Sequence, residues 1–96
     1  MAEPRFLHLA VANPTPLPPA KREEIETVLN KAKDWLRYAP NCWLVWTAVG
    51  TGLWAERLRA VLADKDNAFL ILEVKLQDYS GWLMDDAWKW INKERK

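Results

Sequence analysis

The chain is poor in the residues from which most catalytic kits are assembled: one cysteine, one histidine, one serine and three glycines among 96 residues. A lone Cys42 forms no internal disulfide, and with His8 as the single histidine there is no Cys/His set for a closed zinc site. A reducing, cytoplasmic compartment is the expectation that follows. Charge of one sign is missing too. Fourteen Lys and Arg oppose thirteen Asp and Glu for a net charge of +1, so the bulk basicity of many nucleic-acid binders is absent. No segment approaches the roughly 20 apolar residues that cross a bilayer. The apolar run 6–12 is short, contains His8 and follows a lead in which Glu3 offsets Arg5, so it reads as a strand and not as a secretory signal. No cofactor, metal or membrane partner is expected.

What the chain has is apolar surface. Half of it is hydrophobic and seven residues are tryptophan. A chain of this size buries roughly 65% of the surface that its unfolded form exposes, enough for one core, so residues 1–96 read as a single domain.

The run Phe6-Leu7-His8-Leu9-Ala10-Val11 has strand length, and Pro14, Pro16, Pro18 and Pro19 make residues 13–19 a stiff loop. A helix is predicted from about Ala20, with Ile25, Val28, Leu29 and Ala32 forming one apolar stripe. Residues 35–39 fit either a continuation of that helix or a short strand turned by Pro40-Asn41 into the aromatic, β-branched run 42–47. Gly50-Thr51-Gly52 breaks that run, and a second helix is expected over 54–63, burying Leu58, Val61 and Leu62. A polar turn at 64–67 leads to a strand over 68–76, and after a turn at 78–81 Asp85 or Asp86 is placed to cap a short C-terminal helix. With 35–39 as a strand, the order is βαββαβ: a ferredoxin-like α+β fold, an antiparallel sheet with two helices on one face plus the short C-terminal helix. With 35–39 as helix, the sheet has three strands.

The segment Trp35-Leu36-Arg37-Tyr38-Ala39-Pro40-Asn41-Cys42-Trp43-Leu44-Val45-Trp46-Thr47 resembles the paired central strands of the SinR-like proteins. These belong to the superfamily of the small CRISPR-associated adaptation protein and the VapD ribonuclease toxins. Residues 56–67 resemble the second helix and acidic turn of that group, and Phe69-Leu70-Ile71-Leu72-Glu73-Val74 resembles its last core strand. The resemblance covers about residues 33–76 and consists of hydrophobic and turn positions. It implies the ferredoxin-like fold, with residues 35–39 as a strand, and a CRISPR-associated or toxin–antitoxin setting. Nuclease members of the superfamily place an Asp just after the first strand, where paired subunits hold a divalent metal. Here that region reads Ala10-Val11-Ala12-Asn13-Pro14, and a neutral amide adds no charge to bind magnesium, so the metal-nuclease role does not carry over.

Each remaining candidate has a plain alternative. His8 has the near-neutral pKa of a general base but is read as a packed or interface histidine. Cys42 is read as a small buried hydrophobe. Asp64, Asp66 and Asn67 look like the start of a calcium loop, but a strand beginning at Ala68 leaves no room for one. Arg37, Arg57 and Arg59 are the candidate nucleic-acid-binding patch if they converge. Trp43 and Trp46 have opposite strand parity, so one of them faces away from the helices, and Phe6, Phe69 and Ile71 are expected beside it. A second subunit or the C-terminal helix is expected to cover that face, with Trp88 and Ile91 as anchors. Trp82 is expected to pin the chain reversal after Gly81. The functional expectation is a non-catalytic homodimer, formed through the helix-free sheet face or an edge strand, with an adaptor, regulatory or nucleic-acid-associated role. The alternatives are a metal-dependent endoribonuclease or toxin using Asp64 or Asp78, and a single-strand binder stacking bases on the aromatic sheet face.

Overall fold

Prolines and alternating apolar positions partition the chain into seven elements. A computed structural model describes residues 3–62 and 68–95 as β1 (Arg5–Val11), α1 (Pro19–Leu29), β2 (Asp34–Ala39), β3 (Cys42–Thr47), α2 (Thr51–Arg59), β4 (Phe69–Val74) and α3 (Asp85–Ile91). β1 stops before Asn13-Pro14, where the Asn13 carbonyl oxygen Oδ1 accepts from the Thr15 amide and hydroxyl at 3.1 Å each, a side-chain mimic of a backbone turn. Asn41, in the β2–β3 turn, ties this loop down. Its Nδ2 donates to the carbonyls of Asn13 (3.3 Å) and Thr15 (3.0 Å), and its Oδ1 accepts from the Leu17 amide (3.0 Å). Leu17 is thereby held in the core. Pro19 opens α1 at the first helical position, where a missing N–H costs nothing.

The ambiguous stretch is a strand. α1 ends at Leu29, and the Lys33 amide already donates to the Trp46 carbonyl (2.9 Å), so the ladder with β3 begins before Trp35. The Trp35 indole donates back to Asn30 Oδ1 (2.9 Å), bracing the bend between the two elements.

The sheet has the order β2-β3-β1-β4 with every neighbouring pair antiparallel. Its register places Leu7 opposite Val45 and Leu9 between Trp43 and Ile71. These side chains share the face covered by α1 and α2, where Ile25, Leu29, Trp54 and Leu58 complete a fully buried core. Both core indoles bring a polar end that finds an acceptor: Trp43 Nε1 donates to Glu26 Oε2 (3.0 Å) and Trp54 Nε1 to Thr47 Oγ1 (3.2 Å). Residues of the other parity, among them Phe6, His8, Leu44 and Trp46, point to the opposite face, where α3 packs and buries Leu44 and Ile91. The result is a small α+β fold: a four-stranded antiparallel sheet and three helices. No helix among the described residues is long and apolar enough to cross a membrane.

Several expectations need correction. α2 begins at Thr51, so Gly50-Thr51-Gly52 opens the helix, with an extended Gly50 as its N-cap. α3 is capped by the extended backbone of Met84, with Asp85 and Asp86 in its first turn, where their charge suits the helix dipole. Phe69 and Ile71 lie on the helix-covered face, because β4 pairs with β1 so that they stand opposite Val11 and Leu9. The outward residues of β4 are Leu70, Leu72 and Val74. Asp64, Asp66 and Asn67 lie outside the described residues.

Candidate functional site

The side of the sheet that α1 and α2 leave open carries the polar chemistry of the fold. Tyr38 reaches from β2 across β3 to His8 on β1, and the phenol hydroxyl hydrogen-bonds His8 Nε2. Burial first, then charge on Cys42 and a hydrogen bond with that side chain, push the Tyr38 phenol up to about 12. Burial lowers His8 from its ordinary value. At neutral pH the phenol is therefore protonated and the imidazole neutral, so each group has one donor and one acceptor to offer the other. Tyr38 and His8 thus form a hydrogen-bonded row over β3. Tyr38 also lines a mostly apolar cavity of about 280 Å³, with Leu44, Leu76, Tyr79, Trp88 and Ile91.

This row sets a pH dependence. A phenol raised in the fold adds stability that is complete below its unfolded value of 10 and is lost as pH climbs toward 12. Tyr38→Phe is expected to remove the phenolate transition near 12 and to flatten the stability loss over that interval. Phenolate absorbance and urea unfolding at stepped pH measure both. A wild-type chain with no phenol titrating above the ordinary range contradicts the assignment.

A second cluster sits nearer the β1 N-terminus. Phe6 and Trp46 pack with ring centroids 4.6 Å apart, and Trp90 of α3 meets Phe6 edge-on at 6.0 Å. Arg95, from the segment after α3, places its guanidinium 4.2 Å from the Trp90 ring centre, 5.1 Å from Phe6 and 5.8 Å from Trp46. Burial holds this guanidinium below its ordinary value and Asp34 draws it back up. Asp34 also pairs with Lys93 at 3.7 Å. An open hollow of about 610 Å³ borders Phe6 and Trp46, with Glu3 and Glu73 on its wall.

The interface residues expected from the sequence are thus divided. Phe6 and Trp46 lie on the open side of the sheet but beneath Trp90 and Arg95, so they do not form a bare stacking platform. Trp43 is wholly inside the core, and Phe69 and Ile71 are packed under the helices. Ile91 is buried against the sheet, whereas Trp88 is half-buried and stacks on Tyr79 with centroids 6.3 Å apart. Trp82 pins nothing: it is 99% exposed, with Met84 82% exposed nearby in sequence. On β4, Leu70 is 63% and Leu72 39% exposed.

The basic trio does not converge. Arg37 belongs to the β2 edge and sits 3.5 Å from Glu26 of α1. Arg57 lies over the Trp54 ring at 4.9 Å on α2, the helix that packs on β4 at the far edge, and Arg59 is exposed on the same helix. Asn13 has its side chain committed to Thr15. Among the described residues no three His, Cys, Asp or Glu side chains gather as a metal set. Of the carboxylates considered for a nuclease, Asp64 is outside the described residues and Asp78 lies in an exposed bend. Tyr38 and Arg95 are the residues that the sequence reading missed. No protein-family model, curated protein or solved structure matches the chain.

Proposed function

We propose that the chain is a small non-catalytic ferredoxin-like protein of the SinR-like kind that works as a homodimer paired through β4, in an adaptor, regulatory or nucleic-acid-associated role. The β2-β3-β1-β4 order, antiparallel throughout, with α1 and α2 on one face, supports the fold assignment. The resemblance over residues 33–76 supports the family. The observation that carries the dimer is the β4 edge: a strand with no neighbour on its outer side among the described residues, whose outward side chains, Leu70, Leu72 and Val74, are all apolar. Such an edge is a template for another strand.

A second copy is the partner that fits it. A two-fold axis centred on Leu72 sets Leu72 on its own counterpart and Leu70 opposite Val74, apolar against apolar. On the other face it sets Ile71 opposite Glu73, whose carboxylate is already bonded to Arg5 at 3.1 Å. The pairing is isologous and closes on itself. Sedimentation or light scattering at micromolar concentration is expected to report about twice the 11.2 kDa chain mass. A monomer mass at every concentration up to the high micromolar range sinks the reading.

A further inference from the structure

The cluster around Arg95 is built for a positive charge. Its rings come from three elements, β1, β3 and α3, and all three centroids lie within the roughly 6 Å over which a cation is drawn to an aromatic face. The carboxylate of Asp34, beside Trp46 in the β2–β3 ladder, adds a negative field.

The guanidinium is nevertheless an imperfect occupant. Nη1 donates to the Lys93 carbonyl (3.0 Å) and Nη2 to the Trp90 carbonyl (2.7 Å), both backbone groups within five residues of Arg95 itself. Its Nε is buried with no acceptor among the described residues, and the neighbouring Trp90 Nε1 is in the same position. The pocket therefore rewards the charge of the group but fails to satisfy its full set of N–H donors. A quaternary ammonium carries the same charge on a rounded apolar surface and has no N–H to leave unmet.

We infer that Phe6, Trp46 and Trp90 form a binding cage for a methylated ammonium group, in which Arg95 is an internal stand-in for the ligand. The occupant comes from the non-helical segment 93–95, so its withdrawal breaks the two short-range bonds of the guanidinium, the long Lys93 amide bond to the Trp90 carbonyl (3.4 Å) and the Lys93–Asp34 pair, and leaves every strand intact. A smaller open hollow of about 250 Å³, lined by Lys33, Asp34, Trp46, Lys93, Glu94 and Arg95, reaches the occupant itself and gives a cation its path. Competition with Arg95 weakens external binding by the fraction of time that the cage stands empty. The cage does not depend on how two copies pair.

The test uses the full chain, whose seven indole N–H groups each give a signal in a proton–nitrogen correlation spectrum. Tetramethylammonium chloride is titrated against a sodium chloride control. In Arg95→Ala the Trp46 and Trp90 signals are expected to shift and saturate at a concentration at least about ten-fold lower than in the wild type. Arg95→Gln, which keeps the side-chain length without the charge, is expected to behave like Arg95→Ala. Trp46→Ala in the Arg95→Ala background is expected to abolish the Trp90 response. Choline and a peptide carrying trimethyl-lysine then separate the sources: equal half-saturation points to a free cation, and tighter binding of the peptide to a modified side chain. Shifts no larger than those with sodium chloride in both Arg95 variants, or shifts that survive loss of Trp46, overturn the inference.

Discussion

Trp43→Ala is expected to cost the fold about 3–5 kcal/mol, the range for removing a buried aromatic side chain. A domain of this size has a total stability of roughly 5–14 kcal/mol, so the variant keeps about 0–11 kcal/mol and unfolds at a much lower urea concentration. Trp43 is fully buried between the sheet and α1, and its loss leaves a cavity bounded by Leu9, Ile25 and Leu29 that a packed core fills poorly. A polar cost adds to this. Glu26, mostly buried, loses the indole N–H at 3.0 Å and keeps only Arg37 at 3.5 Å. Trp43→Phe separates the two contributions, since it retains most of the ring volume and loses the donor, and about 1–2 kcal/mol is expected from it. Urea unfolding followed by circular dichroism measures both. An alanine variant within 1 kcal/mol of the wild type would move Trp43 out of the core.

Leu72→Lys is expected to produce the opposite pattern, a chain that folds as before and no longer pairs. Leu72 is exposed on an edge strand, and surface changes of this kind shift stability by about 0.5 kcal/mol or less. Across the proposed two-fold, however, each lysine meets its own copy, and like charges directly opposite one another in a ladder repel. Natural edge strands use lysine to block such pairing. The expected effect on association is a weakening of roughly two orders of magnitude. Sedimentation reads it as a monomer at concentrations where the wild type is paired, with the urea midpoint that the wild type shows when diluted below pairing. A dimer that persists in this variant places the contact elsewhere on the molecule.

The two substitutions also mark where the sequence could be read and where it could not. Parity alone established that Trp43 and Trp46 face opposite sides, and only the opposition of Leu9 to Trp43 says which of them is inside. β4 was harder because its alternation points the wrong way. Glu73 shares a face with Phe69 and Ile71 and leaves Leu70, Leu72 and Val74 as the wholly apolar face, yet pairing with β1 turns Phe69 and Ile71 inward, so facing is decided by the neighbour strand. The Pro40-Asn41 turn and the prolines of residues 14–19 were legible because proline and asparagine act locally. His8 and Tyr38 are 30 residues apart on strands that are not neighbours, and no local spacing links them. Arg95 joins its rings through the packing of α3, which depends on the sheet having formed.

The two margins of the sheet differ in kind. β4 is regular and bare, whereas β2 carries a register irregularity between Arg37 and Ala39 and runs directly into Pro40. A distorted border with a charged arginine and an adjoining imino acid is a poor landing strip for a further strand. Growth by end-to-end addition needs both borders to be adhesive, and here one of them is blunt. If two chains pair through β4 as proposed, the joined layer is terminated by β2 at each outer rim, and an open-ended fibre has nowhere to start.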